Sequence, residues 1–472
     1  IIIGYNSNDP NNVTDKNSTS IGGNITTKAN LWVKAFSKDT MKFKDVDVKQ
    51  YMDLSSDKGV LMSAGNVGGD LTVNSDGFVV NKKGSTASTT VGGNLTAKTG
   101  KNSSIYNMTV TGDADITSGL TPKAEGSYPN SPTYLSNFKS NNLTVKSSDH
   151  VSLVNGSEIK GNANIVAGTG KPNMKITGTT NSATFFMGDS KVGKDLNVET
   201  EHGAIHVAGG SIGGNANLTA DSKGTDSGNI IIGYNSNDPN NVTDKNSTSI
   251  GGNIKAKSNL WTKAYSEGDL KFVDSDIKQN ISAESKNGNV SFTNSVAGSA
   301  DLTAGKDATI DNSNVTGDTN IKTVDGNATV KNNSKVGKLT MNSTNADVNV
   351  IDSTVNGTAT LTAGHDVNST FSKYTDKLDA TAGHDVNYKT TGDINLDNST
   401  NMSLKAGNKT ELTTIDGNIT VNNLPTGTDV VKGKEVSLVA DGNITFTGDN
   451  VIDGDLRVKS TGDNGFVAIN GD

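Results

Sequence analysis

Residues 275–374 read SDIKQNISAESKNGNVSFTNSVAGSADLTAGKDATIDNSNVTGDTNIKTVDGNATVKNNSKVGKLTMNSTNADVNVIDSTVNGTATLTAGHDVNSTFSKY. Through this stretch a small polar pair is followed by an aliphatic or aromatic residue, in SDI, NSV, SNV, SKV, STV and SKY. The anchors Ile277, Val296, Val315, Val336, Val355 and Tyr374 are separated by 19, 19, 21, 19 and 19 residues. A period near 20 predicts a solenoid, each repeat forming one coil stacked on the last. The rhythm also runs upstream through Val48, Val67, Val91 and Val110 and returns at Val192 and Ile212.

Within each repeat the spacing is that of strands. After Ile21, Val67, Val91, Val192 and Ile250 the next large aliphatic comes four residues on, and after Val110, Ile159, Ile212, Val296, Val315 and Val355 six on. Both spacings are even, so in extended backbone the two side chains share a face. Helical spacing is not sustained, and frequent Gly and Asn work against a helix. Gly-Gly-Asn, Asp-Gly-Asn and Thr-Gly-Asp punctuate the strands, because these residues enter left-handed turns at little steric cost. The expected fold is all-β: a parallel β-solenoid of about 20 residues per coil, with loop or hairpin insertions. At about 3.3 Å per residue one coil traces roughly 65 Å, and about 22 coils stacked 4.8 Å apart give a rod on the order of 100 Å long.

The composition fits a thin core. Of 472 residues 53 are Gly, 32% are hydrophobic and 5% aromatic, too few for the several compact cores of a multi-domain enzyme. Val, Ile and Thr recur throughout, which argues against disorder. A net charge of −8 and a single arginine, Arg457, argue against nucleic acid as a partner. The lack of Cys removes disulfide, zinc-ribbon and thiol-nucleophile chemistry. No apolar run approaches the roughly 18 residues that span a bilayer.

A longer repeat overlies the short one. IIIGYNSNDPNNVTDKNSTSIGGNI at 1–25 recurs unchanged at 230–254, and similarity continues to Gln50 and Gln279. The chain therefore reads as one continuous solenoid segment over 1–472, with a first large repeat at 1–229 and a diverging second at 230–472. Since the copy lies in mid-chain and the sequence does not open on Met, Ile1 is expected to be an internal cut through a longer polypeptide. SNDPNNVTDKNSTS at 7–20 and 236–249 has the composition of a loop leaving the coil.

Candidate chemistry is sparse. His202 and His206 lie four apart, which in a strand separates them by about 13 Å, too far to share one ion. They are expected to be solvated surface residues. His365 and His384 sit 19 apart in two copies of AGHDVN, so one coil should stack them about 5 Å apart. Repeat copying explains that pair, with a pH-sensitive pair as the alternative. Carboxylates are scattered over nearly every coil, whereas a catalytic groove should be a local break in the repetition. No catalytic, metal or cofactor-binding residue is assigned, and the chain is expected not to be an enzyme. The GGxGxD nonapeptide of calcium-loaded β-rolls does not occur, no face carries aligned Thr-x-Thr for ice, and Asn-x-Ser/Thr triplets are as frequent as the composition generates them. Trp32 with Phe36 and Phe43, and Trp261 with Tyr265 and Phe272, are the strongest aromatic clusters. They either pin an inserted hairpin onto the coil or form a contact surface for a partner.

The coil length, the AGHDVN copies and the turns at 22–26, 92–96, 417–420 and 442–445 together resemble the large filamentous-haemagglutinin-like exoproteins exported by two-partner secretion. The resemblance implies a right-handed parallel β-helix on or released from a bacterial surface, brought out by an outer-membrane transporter. It implies adhesion, aggregation or biofilm contacts with a receptor or glycan on a host or neighbouring cell, with self-association into filaments as a related expectation. The alternatives are the stalk of a contact-dependent toxin-delivery exoprotein and a β-helical polysaccharide-degrading enzyme.

Overall fold

The computed structural model describes residues 1–6, 16, 17, 19–120, 132–170, 183–224, 228–235, 244–397, 401–424 and 430–470. Most of the two stretches at 7–20 and 236–249, read above as loops, lies outside the described residues. Among those described there is no helix, and the strands pair in parallel, coil upon coil, as a β-solenoid. The chain divides into two compact units, Ile1–Tyr265 and Ser266–Asp472. This division falls beyond the boundary of the long sequence repeat, because Ile230–Ile232 pairs back onto Ile205–Val207 and forward onto Thr262–Ala264 within the first unit.

In the first unit one interior column runs Leu71, Leu95, Ala114, Leu143, Ala163, Leu196, Ala216 and Ile254, each directly over the last. A second column two residues further along the same strands runs Val73, Ala97, Ile116, Val145, Ile165, Val198, Leu218 and Ala256. Strand Leu71–Ser75 alternates buried and exposed along its length, as the period of two requires. Large and small aliphatics mix along each of these two columns, and rings fill other interior positions, where Phe78, Phe138 and Phe185 are fully buried.

The second unit repeats the plan. Strands Thr354–Val355, Ala359–Ala363 and Val367–Thr370 make one coil of three short faces, and Lys373–Tyr374 opens the next. Its interior columns include Leu302, Ile321, Met341, Leu361, Ala380 and Leu404. Further along the unit, Ile394–Asp397, Ile419–Asn422, Ile444–Thr447 and Val467–Asn470 form a separate four-stranded parallel sheet.

Turn side chains form ladders of their own. The Oδ1 of Asp70 accepts the backbone N–H of Asn94, Asn94 that of Asp113, and Asp113 that of Asn142, at 2.7, 2.9 and 3.1 Å. The series continues through Asn162, Asp195, Asn215 and Asn253. Each turn thus satisfies a backbone donor of the next coil that the strand ladder does not reach.

One anchor is displaced from its expected place. Val296 is 45% exposed, and Ala297, 1% exposed, takes the interior position between Ile277 and Val315. A buried serine column sets this register. Ser275, Ser295 and Ser313 donate backbone N–H to the Oγ of Ser295, Ser313 and Ser334 at 2.9, 3.0 and 3.2 Å, and the interior residue comes two after each serine. NSV was the one triplet in which the aliphatic directly follows its serine, so the pattern Ser-x-aliphatic points to residue 297.

Candidate functional site

The duplicated 25 residues make the same antiparallel closure twice, both copies in the first unit. At this neck Tyr5 forms an antiparallel bridge with Lys16, and Tyr234 with Lys245. Asn17 and Asn246 donate backbone N–H to the carbonyls of Gly4 and Gly233, each at 2.9 Å. Gly4 and Gly233 have φ of 71° and 76°, and a Cβ on either would overlap the carbonyl oxygen of Phe36 or Tyr265. Only glycine meets both demands.

The aromatic contacts repeat in both copies. Tyr5 meets Phe36 at 6.2 Å and 55°, and Tyr234 meets Tyr265 at 6.0 Å and 53°. Lys16 stands 4.6 Å over Phe36 and Lys245 stands 4.7 Å over Tyr265. Lys34 lies 5.4 Å over Tyr5, and Lys263 lies 5.0 Å over Tyr234. Burial, with a smaller contribution from Asp53, pushes the Tyr5 hydroxyl up from its ordinary range. Two rings and two ammonium groups thus alternate, each cation on an aromatic face.

The six aromatic residues singled out in the sequence divide by depth, Phe43 and Phe272 lying in the core. Phe36 and Tyr265 are buried beneath the neck, at 5% and 7% exposure. Trp32 and Trp261 are half-buried at its flank. Trp32 stacks on Tyr51 at 5.8 Å and 12°, while Trp261 packs on Ile231, Tyr234 and Tyr265. The accessible part of the first copy is therefore tryptophan, lysine, the half-buried Tyr5 and the 38% exposed Tyr51, while in the second copy, where Tyr234 is buried, it is tryptophan and lysine. Tyr5, Tyr234 and the four lysines were missed by the sequence reading, although the identity of the two 25-residue copies contains Tyr5, Lys16, Tyr234 and Lys245.

No family model, curated protein or solved structure matches the chain.

The histidines behave in two ways. His206 and His202 are not solvated as expected, but 2% and 8% exposed. The His206 ring packs against Phe186 at 4.9 Å, and its Nε2 donates to the carbonyl of Tyr234 at 2.6 Å, so the neck covers it. Burial holds this imidazole below the usual histidine range, against the opposing effect of the Tyr234 bond. In the second unit His365 and His384 stack with ring centroids 5.1 Å apart and planes within 3°, as one coil of separation requires. His365 Nδ1 lies 2.9 Å from Asp347 Oδ1, and this bond, with the nearby charge of Asp366, raises the His365 pKa.

Among the described residues the repetition breaks beside a pocket in the second unit. In the second unit the left-handed residue before each ladder serine is Asp274, Asn294, Asn312, Asn333 or Asp352, but in the next coil it is Phe371, with φ of 50°. Phe371, Tyr374, Tyr388 and Met402 border a pocket of about 380 Å³. Tyr374 replaces the aliphatic of Val355 one coil earlier, and its hydroxyl, pushed up by burial, bonds Ser369 at 2.7 Å. Asp376 is the one carboxylate among the described lining residues, whereas most glycosidase mechanisms use two.

Proposed function

We propose that the chain is a structural and interaction segment of an extracellular bacterial adhesin, holding cells to a receptor or glycan on a host or neighbouring cell. One observation carries this reading: a β-solenoid presents the same alternation of two aromatic rings and two ammonium groups twice, each beside a half-buried tryptophan. A solenoid presents surface features at fixed intervals on a backbone held together by ladders, and two copies of one weak contact multiply in affinity when a surface engages both. Aromatic faces supply apolar contact, and flanking ammonium groups favour anionic partners.

The test is adhesion of labelled chain to bacterial and epithelial cells. Saturable binding is expected, with Trp32→Ala and Trp261→Ala each weakening it and the double variant weakening it by more than the product of the two. Absence of cell binding, of aggregation and of biofilm enhancement by the folded chain would overturn the reading.

A further inference from the structure

The turn ladder of the second unit changes character as it proceeds. It begins Asp269, Asn289, Asp307, Asn327, with acid and amide in alternation, each Oδ1 accepting the backbone N–H of the next. It then runs Asp347, Asp366, Asp385 with no amide between them. In the first unit no two aspartates are adjacent in the corresponding ladder, which reads Asp70, Asn94, Asp113, Asn142, Asn162, Asp195, Asn215 and Asn253. Like charges stacked one coil apart, about 4.8 Å, repel, so this run of three gathers negative charge that the ladder of the first unit disperses.

Both histidines of the second unit stand at this run. The residues directly before the ladder positions are Gly288, Lys306, Gly326 and Ala346 in earlier coils, and here they are His365 and His384. Each Nδ1 faces two carboxylates. His365 Nδ1 is 2.9 Å from Asp347 Oδ1 and 3.2 Å from Asp366 Oδ2. His384 Nδ1 is 3.2 Å from Asp366 Oδ1 and 3.3 Å from Asp385 Oδ1. One donor atom from each of His365, Asp366 and His384 falls within 4.8 Å of the other two.

We propose that His365, Asp366 and His384 bind a divalent first-row transition ion of the Zn²⁺ or Ni²⁺ class, with Asp347 and Asp385 flanking the site. Two imidazoles and a carboxylate are the donor set such ions prefer over Mg²⁺ or Ca²⁺, which take oxygen ligands. Metal–nitrogen bonds of about 2.1 Å at a tetrahedral angle place the two coordinating nitrogens about 3.4 Å apart, so the imidazoles, which already bring a donor atom each within 4.8 Å, close by up to about 1.4 Å, a rotamer adjustment open to exposed side chains. On binding, the proton that each Nδ1 shares with a carboxylate moves to Nε2 or to solvent, leaving a neutral imidazole as ligand. The ion then neutralises the carboxylate run, and adjacent coils are joined through their turns.

Isothermal titration of the full chain without a polyhistidine tag, using ZnCl₂ and NiCl₂ at pH 7.5, tests this. His384→Asn is chosen because Asn408 occupies the corresponding place in the next coil, and Asp366→Asn because an amide oxygen preserves the ladder bond to Asp385. Expected are one tight site in the wild type, at least about tenfold weaker binding in each variant, an unchanged far-ultraviolet circular dichroism spectrum, and no competition from Ca²⁺. Equal affinity in wild type and variants, or Ca²⁺ and Mg²⁺ binding as tightly as Zn²⁺, would overturn the assignment and leave the histidines as neutralisers of the carboxylate run.

Discussion

The Oδ1 of Asn142 accepts the backbone N–H of Asn162, one coil on, at 2.9 Å, while Asn142 donates its own N–H and Nδ2 to Asp113 at 3.1 and 3.0 Å. One side chain thus joins three coils. Asn142→Ala leaves the Asn162 N–H without its acceptor, while Asp113 Oδ1 keeps the backbone N–H of residue 142 and the Asn141 amide, and is expected to cost about 1–3 kcal/mol, read as a lower urea midpoint. Asn142→Asp keeps the acceptor but sets a second carboxylate beside Asp113. Its loss should shrink as salt rises, whereas that of Asn142→Ala should not.

Coil spacing is limited by glycine where turns stack. A Cβ on Gly213 would overlap the carbonyl oxygen of Gly193, and Gly251 sits on Gly213 in the same manner. Gly213→Ala should therefore force adjacent coils apart and cost about 1–3 kcal/mol in chemical denaturation. Gly23, with no atom near its Cβ position, is the control. Gly23→Ala should change stability by less than about 0.5 kcal/mol.

The register at 296 and 297 can be tested directly. Val296 faces outward and Ala297 inward, so Val296→Lys should remain within about 0.5 kcal/mol of wild type. Ala297→Lys should unfold the surrounding coils, since it buries a charge without a partner. Equal tolerance at both positions, measured by thermal melting, would contradict the serine-set register.

Acid should weaken the first unit through His206. Its folded pKa lies below the ordinary value near 6.5 because burial disfavours the imidazolium. The unfolded chain therefore takes up a proton first as pH falls. The stability associated with this group is complete above about 6.5 and is lost as pH drops from there toward the folded value. His206→Gln can still donate to the Tyr234 carbonyl but does not titrate. Between pH 7.5 and 5 the urea midpoint of the wild type should fall more steeply than that of His206→Gln, and parallel slopes would remove His206 as the cause.

Much of the fold was legible because a solenoid repeats its instructions. Even spacing of aliphatics gave strands, the 19-residue beat gave coils, and Gly, Asn and Asp marked the turns between them. The stacking of His365 and His384 followed from their separation alone. Burial of His206 did not, because it depends on Phe186 and Tyr234, which lie 20 and 28 residues away. The same holds for Phe36 and Tyr265. An aromatic residue beside a strand reads equally as floor or as surface until the element that covers it is known.

By itself the sequence determined the coil: its length, its strands, its thin aliphatic interior and its polar turns, since each is a local demand of extended backbone repeated many times. Only tertiary structure decided which of two adjacent residues, Val296 or Ala297, faces inward, because a buried serine in one coil must meet the backbone N–H of its neighbour. It also decided that three aspartates and two imidazoles from successive coils meet in one place. Stacking brings residues 19 apart in the chain to about 5 Å, and the charge and coordination chemistry of such a group exists only once the coils are in contact.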